Sequence, residues 1–306
     1  MRVGIVGLGR MGAALSRQAL ASGHDVVGYS IDVSEARALE PDGLVPATSL
    51  DDLVGQLRPP RVVLLYVPHG PPVHRTVEGL AGLLDPGDIV ADGGNSLWTD
   101  AEDHHRRLAD LGVHFLDIGT SGGISGARHG ACFMVGGDAA VFEVVRPLLV
   151  DLAVDDRAVI HAGPSGSGHF VKLVHNAIEF GMLQAIAEGV ELLVRSGRDL
   201  DLPALFDNWN HGSVIRSWLV ELMGQALADD PGALHELSSF VEDTGEVKWV
   251  VEWASRQDIP APVVALSQQM LMLYRDGHRA PTTPMAKAVA LMRHGFGGHP
   301  LQPRGP

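Results

Sequence analysis

One cysteine in 306 residues, Cys132, leaves no internal disulfide to form and fits a reducing cytosol, so a cytoplasmic location is expected. Basic residues are scarce: 23 Lys and Arg face 37 Asp and Glu, a formal charge of −14. That balance argues against a nucleic-acid partner and against an anionic membrane surface. It still admits a small anionic substrate, because a local basic pocket can sit on an acidic protein. No apolar stretch approaches the length needed to span a bilayer. The opening MRVGIVG runs straight into a strand-like segment and has no signal-peptide layout. The 15 histidines are scattered and point to no metal site. His104 and His105, beside Asp103, are expected on an exposed helix face.

What is present is an ordinary globular composition, 45% hydrophobic, in a chain long enough for two domains. Short apolar runs alternate with helical patterns through the first half. Residues 2–7 read as a strand, 7–12 as the glycine turn GLGRMG, 13–22 as a helix and 25–29 as a second strand. A GxGxxG placed between strand and helix is a dinucleotide fingerprint. Gly7 permits the tight turn, Gly9 the close approach of pyrophosphate, and Gly12 the packing of helix on strand. Leu8, Arg10 and Met11 complete the loop, whose helix-start N–H groups hold phosphate oxygens. An acid about 20 residues on usually bonds the ribose. Here Ser30 takes that place and Asp32 follows, with no Arg or Lys until Arg37. NAD is therefore favoured over NADP, with Arg10 the one candidate phosphate clamp in the glycine loop.

Further strands are expected at 62–67, 89–92, 113–118, 132–135 and 159–163. In an open α/β sheet, ligands bind beyond the carboxyl ends of the strands. The turns at 68–72, 93–96 and 119–123 should crowd one cleft edge, bringing Val67, Pro68, Asn95, Ser121, Gly122 and Gly123 to it. After residue 163 the pattern is almost wholly helical, with helices expected near 202–208, 215–227, 247–256, 262–274 and 285–293. Loops are expected at 229–232 and 279–284, and the Gly/Pro-rich stretch 294–306 is expected to be irregular. The fold class is thus α/β, with a doubly wound Rossmann-type domain over 1–163. A helical substrate and oligomerisation domain follows over 164–306.

The chemistry is expected on the long helix that starts near Gly166. It carries Lys172, His175, Asn176 and Glu179 at i, i+3, i+4 and i+7, one face of a helix. His and Asn are mediocre helix formers for a merely wet stripe. A base, two hydrogen-bonding groups and an acid suit a site.

These residues resemble the decarboxylating 6-phosphogluconate dehydrogenases in their shorter bacterial form, within the β-hydroxyacid dehydrogenase group. The resemblance rests on GLGRMG at 7–12, ADGGNS at 91–96, DIGTSGG at 117–123 and GHFVKLVHNAIEFGMLQAIAEG at 168–189. DTGEVKW at 243–249 and MRHGFGGH at 292–299 extend it over nearly the whole chain. It implies oxidation and decarboxylation of a 3-hydroxy sugar acid by NAD(P). Lys172 would be the base and Glu179 the acid that protonates the enediol. Asn176 and His175 would orient the substrate, and Ser121, Gly122 and Gly123 would bind its carboxylate. Asn95 would touch both nicotinamide and substrate. Lys248, Arg293 and His299 would bind substrate, the last two reaching into a neighbouring subunit's site in a homodimer or homotetramer. Phe180, Val250 and Leu271 stand where the family has phosphate-binding Tyr, Thr and Arg, with Arg275 one turn further on. An unphosphorylated acid such as gluconate is the alternative substrate.

Overall fold

The computed structural model describes residues 1–242, 245–275 and 283–302. Residues 243–244 of the DTGEVKW motif, most of the loop expected at 279–284 and the end of the tail lie outside the described residues. The chain divides into two compact units, Met1–Leu173 and Val174–Pro306.

The first unit is built on an eight-stranded sheet: β1 (Arg2–Val6), β2 (Asp25–Tyr29), β3 (Val45–Pro46), β4 (Val62–Leu65), β5 (Ile89–Asp92), β6 (His114–Ser121), β7 (Cys132–Gly136) and β8 (Val159–Gly163). Its order is β3-β2-β1-β4-β5-β6-β7-β8, and the described pairings are parallel except β6 with β7. Between the strands come α1 (Arg10–Ala21), α2 (Val33–Arg37), α3 (Leu50–Gln56), α4 (Pro71–Ala81), α5 (Trp98–Ala109), α6 (Gly123–His129) and α7 (Ala139–Asp151).

Period-2 alternation divides the strand side chains between two cores. Val3, Ile5, Val62, Leu64 and Leu116 enter one cluster with Leu15 of α1 and Val145 of α7. Val6, Val27, Val63, Leu65 and Phe115 enter the other with Leu53 of α3, Val77 of α4 and Leu108 of α5. Truncating one such fully buried leucine to alanine costs about 2–5 kcal/mol. A sheet sandwiched in this way has only its edges and strand ends left for ligands. The expected strands are all present; β3, two residues long, was too short to show a pattern.

α8 (Ser167–Arg195) begins in the first unit and continues into the second. The second unit adds α9 (Leu202–Asn210), α10 (Trp218–Asp229), α11 (Ala233–Glu236), α12 (Glu246–Arg256), α13 (Pro262–Tyr274) and α14 (Pro284–Gly297). α10 starts later than the spacing suggests because Ser217 caps it, its hydroxyl accepting from Val220 N. α14 starts after Thr283, which accepts from Ala286 N, with Pro284 in the first turn where no N–H is needed. It also runs on through 294–297, against the expectation of an irregular stretch. Gly295 lets that turn lie close to Leu222 of α10, where an added Cβ would come within 3.0 Å of Cδ2. Packing overrides the low helix propensity of glycine there, and Gly298 in the left-handed region ends the helix.

Candidate active site

The glycine loop sits at the carboxyl end of β1. A Cβ on Gly12 would stand 1.9 Å from Gly7 O, so helix α1 meets the strand at a distance only glycine allows. Gly9 opens outward: the nearest described atom to a Cβ placed there is Glu35 Oε1, at 4.0 Å. The first N–H groups of the twelve-residue α1 follow at once. A bare backbone ahead of a helix N-terminus is what a dinucleotide pyrophosphate requires, so the residues present fit that cofactor.

The neighbouring loops converge on the same edge, as the parallel pairing of β1, β4, β5 and β6 dictates. Gly7 packs on Tyr66 O, and Gly94 on Val67 O, bringing the Val67–Pro68 turn against the turn that carries Asn95. Asp92 holds that turn, accepting from Gly94 N (2.9 Å) and Ser96 Oγ (2.7 Å). Tyr66 lies beneath Gly93, and burial pushes its phenol up to about 12. Ser121 proves to be the last residue of β6 rather than part of a turn. Gly122 (φ 112°) and Gly123 (φ 58°) then make the reversal into α6.

Lys172 is fixed by its helix. The Asp117 carboxylate, fully buried on β6, accepts from Gly166 N (2.7 Å) and His169 N (2.8 Å), capping the start of α8 from outside it. His169, also buried, reaches Ser96 O (3.3 Å) and Asp92 O (3.1 Å), joining α8 to the Asn95 turn. Gly119 is where the helix touches the strand: an added Cβ would lie 2.5 Å from Lys172 Cβ and 2.7 Å from Gly168 O. Lys172 is half-buried, and its ammonium opposes the upward push that burial gives the Cys132 thiol of β7. The first unit thus gathers the glycine loop, Val67, Pro68, Asn95, Ser121, Gly122, Gly123 and Lys172 around one sheet edge and the helix packed there.

Further along α8, His175, Asn176 and Glu179 follow Lys172 at helical spacing. Asn176 is buried, and His175 Nδ1 stands 3.4 Å from Asn176 Oδ1 and 3.9 Å from Glu179 Oε2. Within the second unit, Phe180, Ser267, Leu271, Tyr274 and Arg293 line a small pocket. The Arg293 guanidinium lies 5.5 Å from the Phe180 ring centroid and donates to Glu242 O. His299 Nδ1 reaches Glu242 Oε2 at 3.4 Å. Arg293 and His299 thus both contact Glu242. Lys248 stands apart from this pocket, exposed and 3.6 Å from Glu252 on its own helix. Val250 is buried on α12.

One expectation for this unit needs correction. His104 does not face solvent: it is buried against Phe115, with Nε2 2.7 Å from His74 Nδ1. Burial moves its pKa down, and the neighbouring His74 adds to the shift. Two residues of α5 that read as one polar face are divided by the sheet behind them. Asp32 caps α2: its carboxylate oxygen Oδ1 accepts from Ser34 N (2.9 Å) and Ser34 Oγ (2.6 Å), which lowers its pKa. The acid beside the glycine loop is Glu35, which accepts from the buried Ser30 hydroxyl. Sequence reading passed over it because it lies five residues past Ser30, inside a helix. The signal for it was Asp32 two residues before Ser34, a cap that starts a helix and sends residue 35 back.

No helix among the described residues is long and apolar enough to cross a membrane. Among the described residues, no group of three or more His, Cys, Asp or Glu is placed to hold a metal ion.

Comparison with known proteins accounts for both halves of the chain. Residues 2–163 match the NAD binding domain of 6-phosphogluconate dehydrogenase, and residues 168–276 match the C-terminal domain of the same enzyme. The Bacillus subtilis protein YqeC is 42% identical over 299 residues, covering 98% of each chain. An NAD(+)-dependent, decarboxylating 6-phosphogluconate dehydrogenase of Haloferax volcanii is 37% identical, again over 98% of each chain. Among solved structures, the Plasmodium falciparum 6-phosphogluconate dehydrogenase superposes with a TM-score of 0.82 at 27% identity, over 90% of this chain and 62% of that longer one. An NAD-binding unit ahead of a helical unit, each matched to its counterpart in the same order, places this chain in the 6-phosphogluconate dehydrogenase family of oxidoreductases.

Proposed function

We propose that the protein catalyses the oxidative decarboxylation of 6-phosphogluconate to ribulose 5-phosphate and CO2 in the cytoplasm, as a homo-oligomer. The observation that carries this reading is Lys172, Asn176 and Glu179 at one helical spacing along α8, with Lys172 anchored to the sheet edge that holds the glycine loop. The glycine loop and Asn95 would hold a nicotinamide dinucleotide along that edge, which would supply the hydride acceptor. Lys172 takes the proton of the C3 hydroxyl as the hydride leaves C3, giving a 3-keto acid. Its ammonium then donates to the ketone oxygen while the C1–C2 bond breaks, so the bond pair stays on C2 and CO2 departs. Glu179 protonates that carbon of the enediol. Asn176 and His175 orient the hydroxyl, and the N–H groups at Ser121, Gly122 and Gly123 bind the carboxylate. Asn95 spans substrate and nicotinamide, and Arg293, backed by His299, supplies positive charge near Phe180.

A second reading is favoured by the pocket itself. Phe180 and Leu271 line it where the family places a hydroxyl and a guanidinium. Each lost charge-assisted bond removes roughly 1–3 kcal/mol of phosphate affinity. The same chemistry on an unphosphorylated acid follows if Arg293 alone does not offset that loss.

Initial rates of nicotinamide reduction with 6-phosphogluconate and with gluconate separate the two. A kcat/KM for 6-phosphogluconate at least about 100-fold above that for gluconate, equivalent to about 2.7 kcal/mol, is expected. Turnover of gluconate with 6-phosphogluconate inert would replace the first reading by the second.

A further inference from the structure

We infer that Glu35, rather than the residues at the end of β2, selects the dinucleotide: its carboxylate binds the adenosine ribose hydroxyls of NAD and rejects the 2′-phosphate of NADP. This rests on the dinucleotide site and not on the choice of sugar acid.

The usual ribose-binding acid ends the second strand, directly beyond the glycine loop. Two residues compete for that role here, and neither is an uncommitted carboxylate. Ser30 is buried with a hydroxyl committed to Glu35. Asp32 has a carboxylate, but Oδ1 is held by both the backbone N–H and the hydroxyl of Ser34 as the cap of α2, and the side chain is exposed. That cap starts the turn which carries Glu35 back toward β1. Glu35 Oε2 takes the Ser30 hydrogen bond, and Glu35 Oε1 lies 4.0 Å from the point where a Cβ on Gly9 would be. Gly9 is otherwise open at that point, so the second oxygen faces the loop that receives the pyrophosphate.

A carboxylate there accepts from both ribose hydroxyls, which supply donors and no charge. A 2′-phosphate replaces one donor by roughly two negative charges beside the carboxylate, with no hydrogen to give. Ser30 sharpens the choice, because its hydroxyl orients Glu35 and removes the freedom to swing away. Ile31, the residue after Ser30, is 88% exposed and brings no charge to offset the repulsion. Arg10, on the glycine loop itself, pulls the opposite way, so the preference is a contest that Glu35 decides.

The test is binding of NADH and NADPH, read by nicotinamide fluorescence on the full-length protein, which needs no substrate. The wild type should bind NADH more tightly than NADPH. Glu35→Gln keeps the shape and removes the charge, and should lower that preference by about tenfold or more, chiefly by strengthening NADPH binding. Glu35→Lys should invert it. Asp32→Asn preserves a good helix cap and should shift the ratio by less than about twofold. A wild type that favours NADPH would overturn the inference. So would a Glu35→Gln ratio equal to the wild type, or an Asp32→Asn shift as large as that of Glu35→Gln.

Discussion

At the scale of single residues, Gly119 decides where Lys172 stands. The helix bearing the lysine meets β6 at this glycine, and a methyl group would press into Lys172 Cβ at 2.5 Å. Gly119→Ala should therefore cost about 1–3 kcal/mol of stability, as overpacking does. It should also lower kcat while leaving NADH affinity near its original value, because the glycine loop lies on a different strand. Thermal unfolding and fluorescence titration read the two effects separately. The glycine loop and the Lys172 face were legible because their meaning is carried by spacing along one element. The acid that stands beside the glycine loop was not. Ser30 and Asp32 occupy the expected sequence position, but Asp32 accepts from Ser34 N as the cap of α2, and the Ser30 hydroxyl donates to Glu35. His104 was misread for a related reason: a side chain's burial depends on which face of α5 meets Phe115, and one helix alone does not say.

At the scale of elements, α8 is held in place by a cap that comes from elsewhere. Asp117 sits on β6, fully buried, and accepts from two N–H groups at the helix start. The negative charge also opposes the positive end of the helix dipole. Asp117→Asn keeps the size but turns one acceptor into a donor facing a donor. It should destabilise the protein by about 1–3 kcal/mol and reduce kcat more than it changes KM, since Lys172 rides one turn further along. Equal effects on stability and none on kcat would mean that the cap serves folding alone. Such a long-range cap has no sequence signature. The helix itself did, because it is an uninterrupted pattern from Gly166 onward. α14 shows the limit of local reading: two glycines in its last turns suggested irregular chain, while close packing on Leu222 keeps it helical.

At the scale of the whole molecule, the two-part organisation was plain from the change of pattern near residue 163, although the division into compact units falls later, within α8. Assembly is the property one chain does not carry by itself. The single chain leaves Ile178, Met182 and Leu192 of α8, and Val263 and Leu266 of α13, exposed. Apolar side chains repeated along helices in this way are expected to be covered by a second copy. Light scattering should give at least twice the chain mass, and Leu192→Asp together with Val263→Asp should shift it toward one chain. The central claim, that Lys172 is the base of a nicotinamide-dependent oxidation, has a more direct test. Lys172→Met should bind NADH as the wild type does and show no detectable reduction of the nicotinamide with the best sugar acid. Turnover of that variant at the wild-type rate would contradict the site.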